Sequence, residues 1–286
     1  MGVVLLPKED APKRSAQRVL RIGLVLVVIS VVYHCFYAWK DHTPIDLLAL
    51  VRELPTIYSS NALWYLYLYL GLLCLLPILQ RLVKALNRQL LLWAIFLSVG
   101  ICGSLPVIQA FFPGVGLSTF FLQPLFSPYV GLVLCGYYVE RYLTVTGKTA
   151  LWAGGIFAGG IALQVAGTYL LYRRDPAPSH YLALDDRTSL LIALCAISFY
   201  VLVKYFFTRF PLSPKAEQGV CTLGGLTFGM YLFGDMAIEL TRPLYAALNV
   251  PLPALGAVLL WELAVFALCA LLTAGLKQIP GLKNYL

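Results

Sequence analysis

Apolar runs of about 20 residues recur along the whole chain, from 19–39 near the start to 253–276 near the end. A run of that length spans the roughly 30 Å hydrocarbon core of a bilayer when it is helical. Lipid offers no hydrogen bonds to the backbone, so such a run has to be a helix or part of a closed barrel, and its length fits the helix. Composition agrees. The 286 residues are 60% hydrophobic and only 12% charged, with a mean hydropathy of +0.81. A soluble domain of this size needs far more polar surface to cover its core. The predicted fold is an all-α, polytopic membrane helical bundle of about eight transmembrane helices, forming one integral-membrane domain over 1–286.

The predicted spans are 19–39, 62–82, 89–111, 126–142, 149–172, 189–207, 220–240 and 253–276. The fourth follows an approach broken by Pro113, Pro124 and Pro128. Between the first two spans, 45–54 has the pattern of an amphipathic helix lying on the membrane. The net charge of +8 is no nucleic-acid footprint, because the basic residues gather in short loops as the positive-inside rule requires. With Met1 in the cytoplasm, 15 of the 21 Lys and Arg residues fall inside, which predicts eight crossings with both termini cytoplasmic. Seven cysteines lie singly in apolar runs and the three histidines are far apart, so neither a metal site nor a disulfide framework is expected. The first span is too long for a cleaved signal peptide.

Ionisable side chains inside apolar spans are costly and are the first functional candidates. They concentrate toward the C-terminus: Asp235, Glu239 and Arg242 around the end of the seventh span, and Glu262 within the eighth. Asp235 and Glu239 share a helix face, and Glu239 and Arg242 are spaced to pair. This is either a polar site or an interhelical ion pair that fixes packing. His34 has the ordinary pKa of a general base, yet beside Tyr33, Tyr37 and Trp39 it also reads as an interfacial residue. Arg18 and Arg21 open the first span three residues apart on one face. They either anchor its cytoplasmic end or grip a phosphate together, since arginine holds phosphate bidentately and stays charged in low dielectric.

Several stretches resemble the membrane acyltransferase family 3, the multispan O-acyltransferases of bacterial envelopes. The segment 2–9 is similar to the chain leaving that family's second helix, and Arg18-Val19-Leu20-Arg21 to the Arg-x-x-Arg that opens its third. Leu63-Trp64-Tyr65-Leu66-Tyr67, with Gly71 and Pro77 after it, resembles a Leu-Trp-Phe-Leu-Tyr signature. Tyr129-Val130-Gly131 and Leu134-Cys135-Gly136-Tyr137-Tyr138 resemble a glycine-bearing span. Thr227-Phe228-Gly229-Met230-Tyr231-Leu232 resembles Ser-Phe-Gly-Ile-Tyr-Leu, and Ile279-Pro280-Gly281-Leu282-Lys283 the family's ending. These stretches occur in the family's order along essentially the whole chain.

The resemblance implies transfer of an acyl group, usually acetyl, from acetyl-CoA or another acyl-CoA to a hydroxyl of an envelope glycan or lipid-linked sugar, in the bacterial inner membrane. It casts Arg18 and Arg21 as the donor-phosphate grip, and Trp64 and Tyr231 as packing residues. Asp235, Glu239, Glu262 and His34 are catalytic candidates that no family motif marks. Membrane lipids are the expected surroundings, with no nucleic-acid partner. The resemblance also implies that the chain enters the family pattern after the second helix, without the arginine and histidine of the first. An enzyme without its general base loses about 10²–10⁴-fold in rate. Start-site error or fragment, natural short form, and inactive relative all remain open, and entry in mid-motif favours the first. The alternative class is a non-enzymatic transporter or polysaccharide-assembly partner.

Overall fold

The computed structural model describes residues 1–8, 12–54, 60–112, 114–118, 122, 127–175, 182–250, 253–281 and 285. It is 81% helical, with no strand among the described residues. The helices are α1 (Pro12–Lys40), α2 (Leu47–Glu53), α3 (Trp64–Ala85), α4 (Arg88–Ile95) and α5 (Cys102–Phe111). They continue with α6 (Pro128–Tyr142), α7 (Gly147–Arg174), α8 (Leu190–Arg209), α9 (Pro214–Leu248) and α10 (Ala254–Leu276). A π-helical turn, Phe96–Ile101, joins α4 to α5 without a break. Among the described residues seven helical segments are long and apolar enough to cross a membrane: α1, α3, α4–α5, α7, α8, α9 and α10. The protein is a multi-pass helical membrane protein.

Local sequence starts these helices where the capping chemistry lies. Asn87 accepts from the Leu90 amide at 2.9 Å, and Thr146 and Thr149 form a reciprocal capping box before α7. Ser213 caps α9, with Pro214 in the first-turn position that suits proline. The predicted surface helix at 45–54 is the short α2, with Ile45, Leu48 and Val51 exposed around a buried Leu50. Pro113, Pro124, His180, Leu282 and Lys283 lie outside the described residues.

The chain forms two compact units, Met1–Ala11 with Leu75–Pro211, and Pro12–Cys74 with Leu212–Leu286. In the first unit, α4–α5, α6, α7 and α8 pack around small cores such as Val99, Cys135 and Ala193. Glu140 at the end of α6 pairs with Lys204 of α8 at 2.7 Å and accepts from the Tyr200 hydroxyl at 3.1 Å.

The predicted fourth span is corrected here. α6 has 15 residues, about 22 Å of helix, too short to cross the hydrocarbon core alone. Its first turn lies beside the π turn: a Cβ on Gly131 would overlap the Ser98 hydroxyl and lie 2.6 Å from Val99 Cγ2. Ser98 is about 15 Å into the α4–α5 span, whereas Tyr138 near the end of α6 accepts from Arg88 Nε at 3.1 Å, where α4 begins. So α6 covers only about half the depth of its neighbour. A helix can start at that depth when protein surrounds it, and Val130, Gly131, Val133, Leu134 and Cys135 are all buried. Replacing Gly131 by Val should cost about 1–3 kcal/mol through overpacking. An unchanged thermal midpoint in detergent would show that the contact does not hold α6.

In the second unit, Val25, Leu26, Ile29 and Tyr33 of α1 pack with Leu63, Leu66 and Leu232. Gly229 of α9 lets Thr273 of α10 approach: its added Cβ would lie 2.8 Å from Thr273 Oγ1. α9 differs from expectation. The predicted span ends at 240, but the helix continues through Pro243 to Leu248, so Arg242 lies within it.

Candidate functional site

The second unit gathers most of the sequence-predicted site residues along α1. At about 100° per residue, Arg18, Ile22, Val25, Ile29, Tyr33 and Lys40 fall within roughly 80° of arc on one face. The middle of that face is the apolar core already described, and its two ends are polar.

At the first end stand Arg18, half-buried, and Arg21, exposed. The helix begins at Pro12, so Arg18 lies about 9 Å inside it and not at its mouth as the hydropathy pattern predicts. Pro12 suits a first helical position, and the long arginine stems can lie along the helix while their heads reach water. Arg21 Cζ is 5.9 Å from the ring centre of Tyr285, and both guanidinium groups are within electrostatic reach of the Tyr69 phenol. Lys277, at the end of α10, donates to the Gly225 carbonyl.

At the second end Asp235 is held inside the scaffold. Its carboxylate accepts from the Ser60 hydroxyl and, at 3.2 Å, from the Ala62 amide. Ser60 caps the short 3₁₀ turn that leads into α3, and its own Oγ accepts from the same Ala62 amide at 3.2 Å. Asp235 therefore anchors the entry of α3 to α9. Two tyrosines reinforce the joint. Tyr33 donates to the Leu232 carbonyl at 3.0 Å, and Tyr231 to the Ala62 carbonyl at 2.5 Å. One turn beyond Asp235, Glu239 pairs with Lys40 of α1 and with Arg242 at 2.7 Å. Of the two readings of this acid cluster, the geometry favours interhelical pairing, with Asp235 and Glu239 positioning α1, α3 and α9.

Glu262 and His34 stand apart from this arrangement. Glu262 is exposed on α10 and makes no hydrogen bond or ion pair among the described residues. His34 is half-buried, and its buried Nε2 has no hydrogen-bond partner among the described residues. It lies about 160° around α1 from Arg18, on the side of Ser30, so it does not share the face that joins the two polar ends. Ser30 is fully buried and lies near the Tyr67 hydroxyl without an aligned hydrogen bond, while Tyr67 donates to the Leu54 carbonyl at 2.7 Å.

Three of the stretches that carry the sequence resemblance therefore meet in one unit. They are the arginine helix, the aromatic entry of α3 and the Thr227–Leu232 stretch of α9. A family model described as an acyltransferase domain matches residues 2–276. The chain belongs to the acyltransferase 3 family. No curated protein and no solved structure matches it. In this acyltransferase 3 protein the signature residues Leu63 and Leu66 are fully buried in the α1–α9 core, while Tyr65 packs edge-on against Tyr231 with ring centres 5.7 Å apart. Sequence reasoning missed Ser60, Lys40, Tyr69 and Tyr285. Ser60 sits 175 residues from Asp235 in a loop where serine is unremarkable, so no local signal marks it. Lys40, Tyr69 and Tyr285 read as ordinary interface residues.

Proposed function

We propose that this membrane acyltransferase moves an acyl group, acetyl in the first instance, from acyl-CoA to a hydroxyl of an envelope glycan or lipid-linked sugar. The proposed setting is the bacterial inner membrane, with both termini cytoplasmic. The observation that carries the reading is the polarity of the second unit along α1. A guanidinium pair, with Tyr285 beside Arg21 and Tyr69 within electrostatic reach of both, stands at one end, and an acid, hydroxyl and ammonium cluster at the other. From Arg18 to Tyr33 the helix rises about 22 Å. In this reading Arg18 and Arg21 take the CoA phosphates on the cytoplasmic side, where two planar forks suit phosphate oxygens and lose little on partial burial. The acceptor oxygen forms the new C–O ester bond as the thioester C–S bond breaks, and its proton leaves with the CoA thiol. Asp235 and Glu239 act as positioning groups that keep α1, α3 and α9 in register.

Photoreactive acyl-CoA applied to membrane vesicles tests the reading. Labelling should map to the first half of α1 and be competed by unlabelled CoA. Labelling elsewhere, or none at all as expected for a transporter, would overturn it.

A further inference from the structure

A groove of about 400 Å³ runs between α9 and α10, lined by Tyr231, Gly234, Ile238, Glu262, Val265 and Phe266. Its α10 wall belongs to an exposed apolar stripe: Leu255, Leu259, Leu263 and Phe266 are between 48% and 72% exposed, at helical spacing around Glu262. α10 is also the least buried of the seven crossing helices. Opposite the stripe, Gly234 leaves open space where a side chain would stand. Glu262 is the ninth residue of the 23-residue α10, about 12 Å from its first residue, too deep for a short carboxylate to reach the interface. An ionisable group at that depth is normally covered by protein or paired, not turned to lipid. Yet Glu262 has no partner among the described residues, whereas Glu140 and Glu239 each hold a lysine.

We propose that this groove is the docking face for a further transmembrane helix that carries one arginine or lysine at mid-depth, paired with Glu262. Charge complementarity selects the cation, and the open flank of Gly234 admits a closely packed backbone. A second copy of this chain fits poorly. Among the described residues, the crossing helices carry their basic side chains toward their ends, and the deepest, Arg21, about 14 Å into α1, already stands over the Tyr285 ring. The proposal concerns assembly and does not depend on the acyl-transfer reading.

The test co-expresses the full chain, bearing Leu263→Cys as reporter, with a synthetic single-span leucine–alanine helix. That helix carries one arginine at mid-depth and a cysteine one turn away, and a matched helix has leucine in place of the arginine. Disulfide yield that depends on Leu263→Cys should be roughly three- to tenfold higher with the arginine helix. The preference should vanish in Glu262→Gln, a change that leaves the fold's own ion pairs untouched. Equal yields from the two helices would mean that the groove takes lipid or any apolar helix, and would overturn the proposal. So would an arginine preference that survives Glu262→Gln, or self-crosslinking of the chain that exceeds capture of the arginine helix.

Discussion

Replacing Arg18 and Arg21 together by glutamine should reduce acyl transfer by about 10²–10⁴-fold while leaving membrane expression and thermal stability close to those of the parent. The magnitude follows from hydrogen bonds to charged groups, worth roughly 1.5–3 kcal/mol each, for the two guanidinium groups of the proposed donor-phosphate grip. The structural cost is small at Arg21, which is exposed and whose aromatic neighbour Tyr285 is 5.9 Å away, and at the half-buried Arg18 glutamine keeps a long polar side chain. Lysine at both positions keeps the charge but not the planar fork, and should recover only part of the loss. Radiolabelled acetyl transfer in vesicles, read beside donor binding, separates the roles. If transfer falls while donor affinity is unchanged, the pair does not grip phosphate.

Asp235→Ala should lower stability by about 2–4 kcal/mol, because the Ser60 hydroxyl and the Ala62 amide both lose their acceptor at a partly buried joint. In detergent this should appear as a fall in thermal midpoint of roughly 4–10 °C. Asp235→Asn retains one acceptor oxygen and should restore most of that stability and, with it, activity. A general base behaves otherwise, since asparagine cannot take a proton whatever the fold retains. An Asn variant that folds like the parent but is inactive would therefore refute the positioning role and return Asp235 to catalysis.

Both expectations rest on chain-distant contacts, which bears on how much of the protein is legible in one dimension. The helical membrane architecture is legible because hydropathy over 20 residues is a local quantity set by the solvent. The stretches Leu63–Tyr67 and Thr227–Leu232 point to the fold through their resemblance to the family's signatures, and the structure brings both into the α1–α9 core. What fails locally is depth. The run ending at Tyr142 has the apolar content of a span, and only the placement of Gly131 against Ser98 reveals a helix of half depth. Similarly, the apolar run 220–240 hides a helix that extends from Pro214 to Leu248: hydropathy falls off after 240, but the helix passes Pro243 and packs Tyr245 against Trp261 of α10, ring centres 4.8 Å apart.

The acids show the same division. Sequence spacing alone placed Asp235 and Glu239 on one face and Glu239 within reach of Arg242, because helix periodicity fixes neighbours three and four apart. Spacing could not say that Asp235 would be taken up by Ser60 and Ala62, or Glu239 by Lys40, 199 residues away. Nor could it say that Glu262 would be left facing an open groove. By itself the sequence determined that this is a helical membrane protein with arginines opening its first span and acids in its last two. The tertiary structure decided which of those acids are bound into the scaffold and which is exposed. A buried charge is defined by what closes around it, and here those partners come from helices brought together by packing.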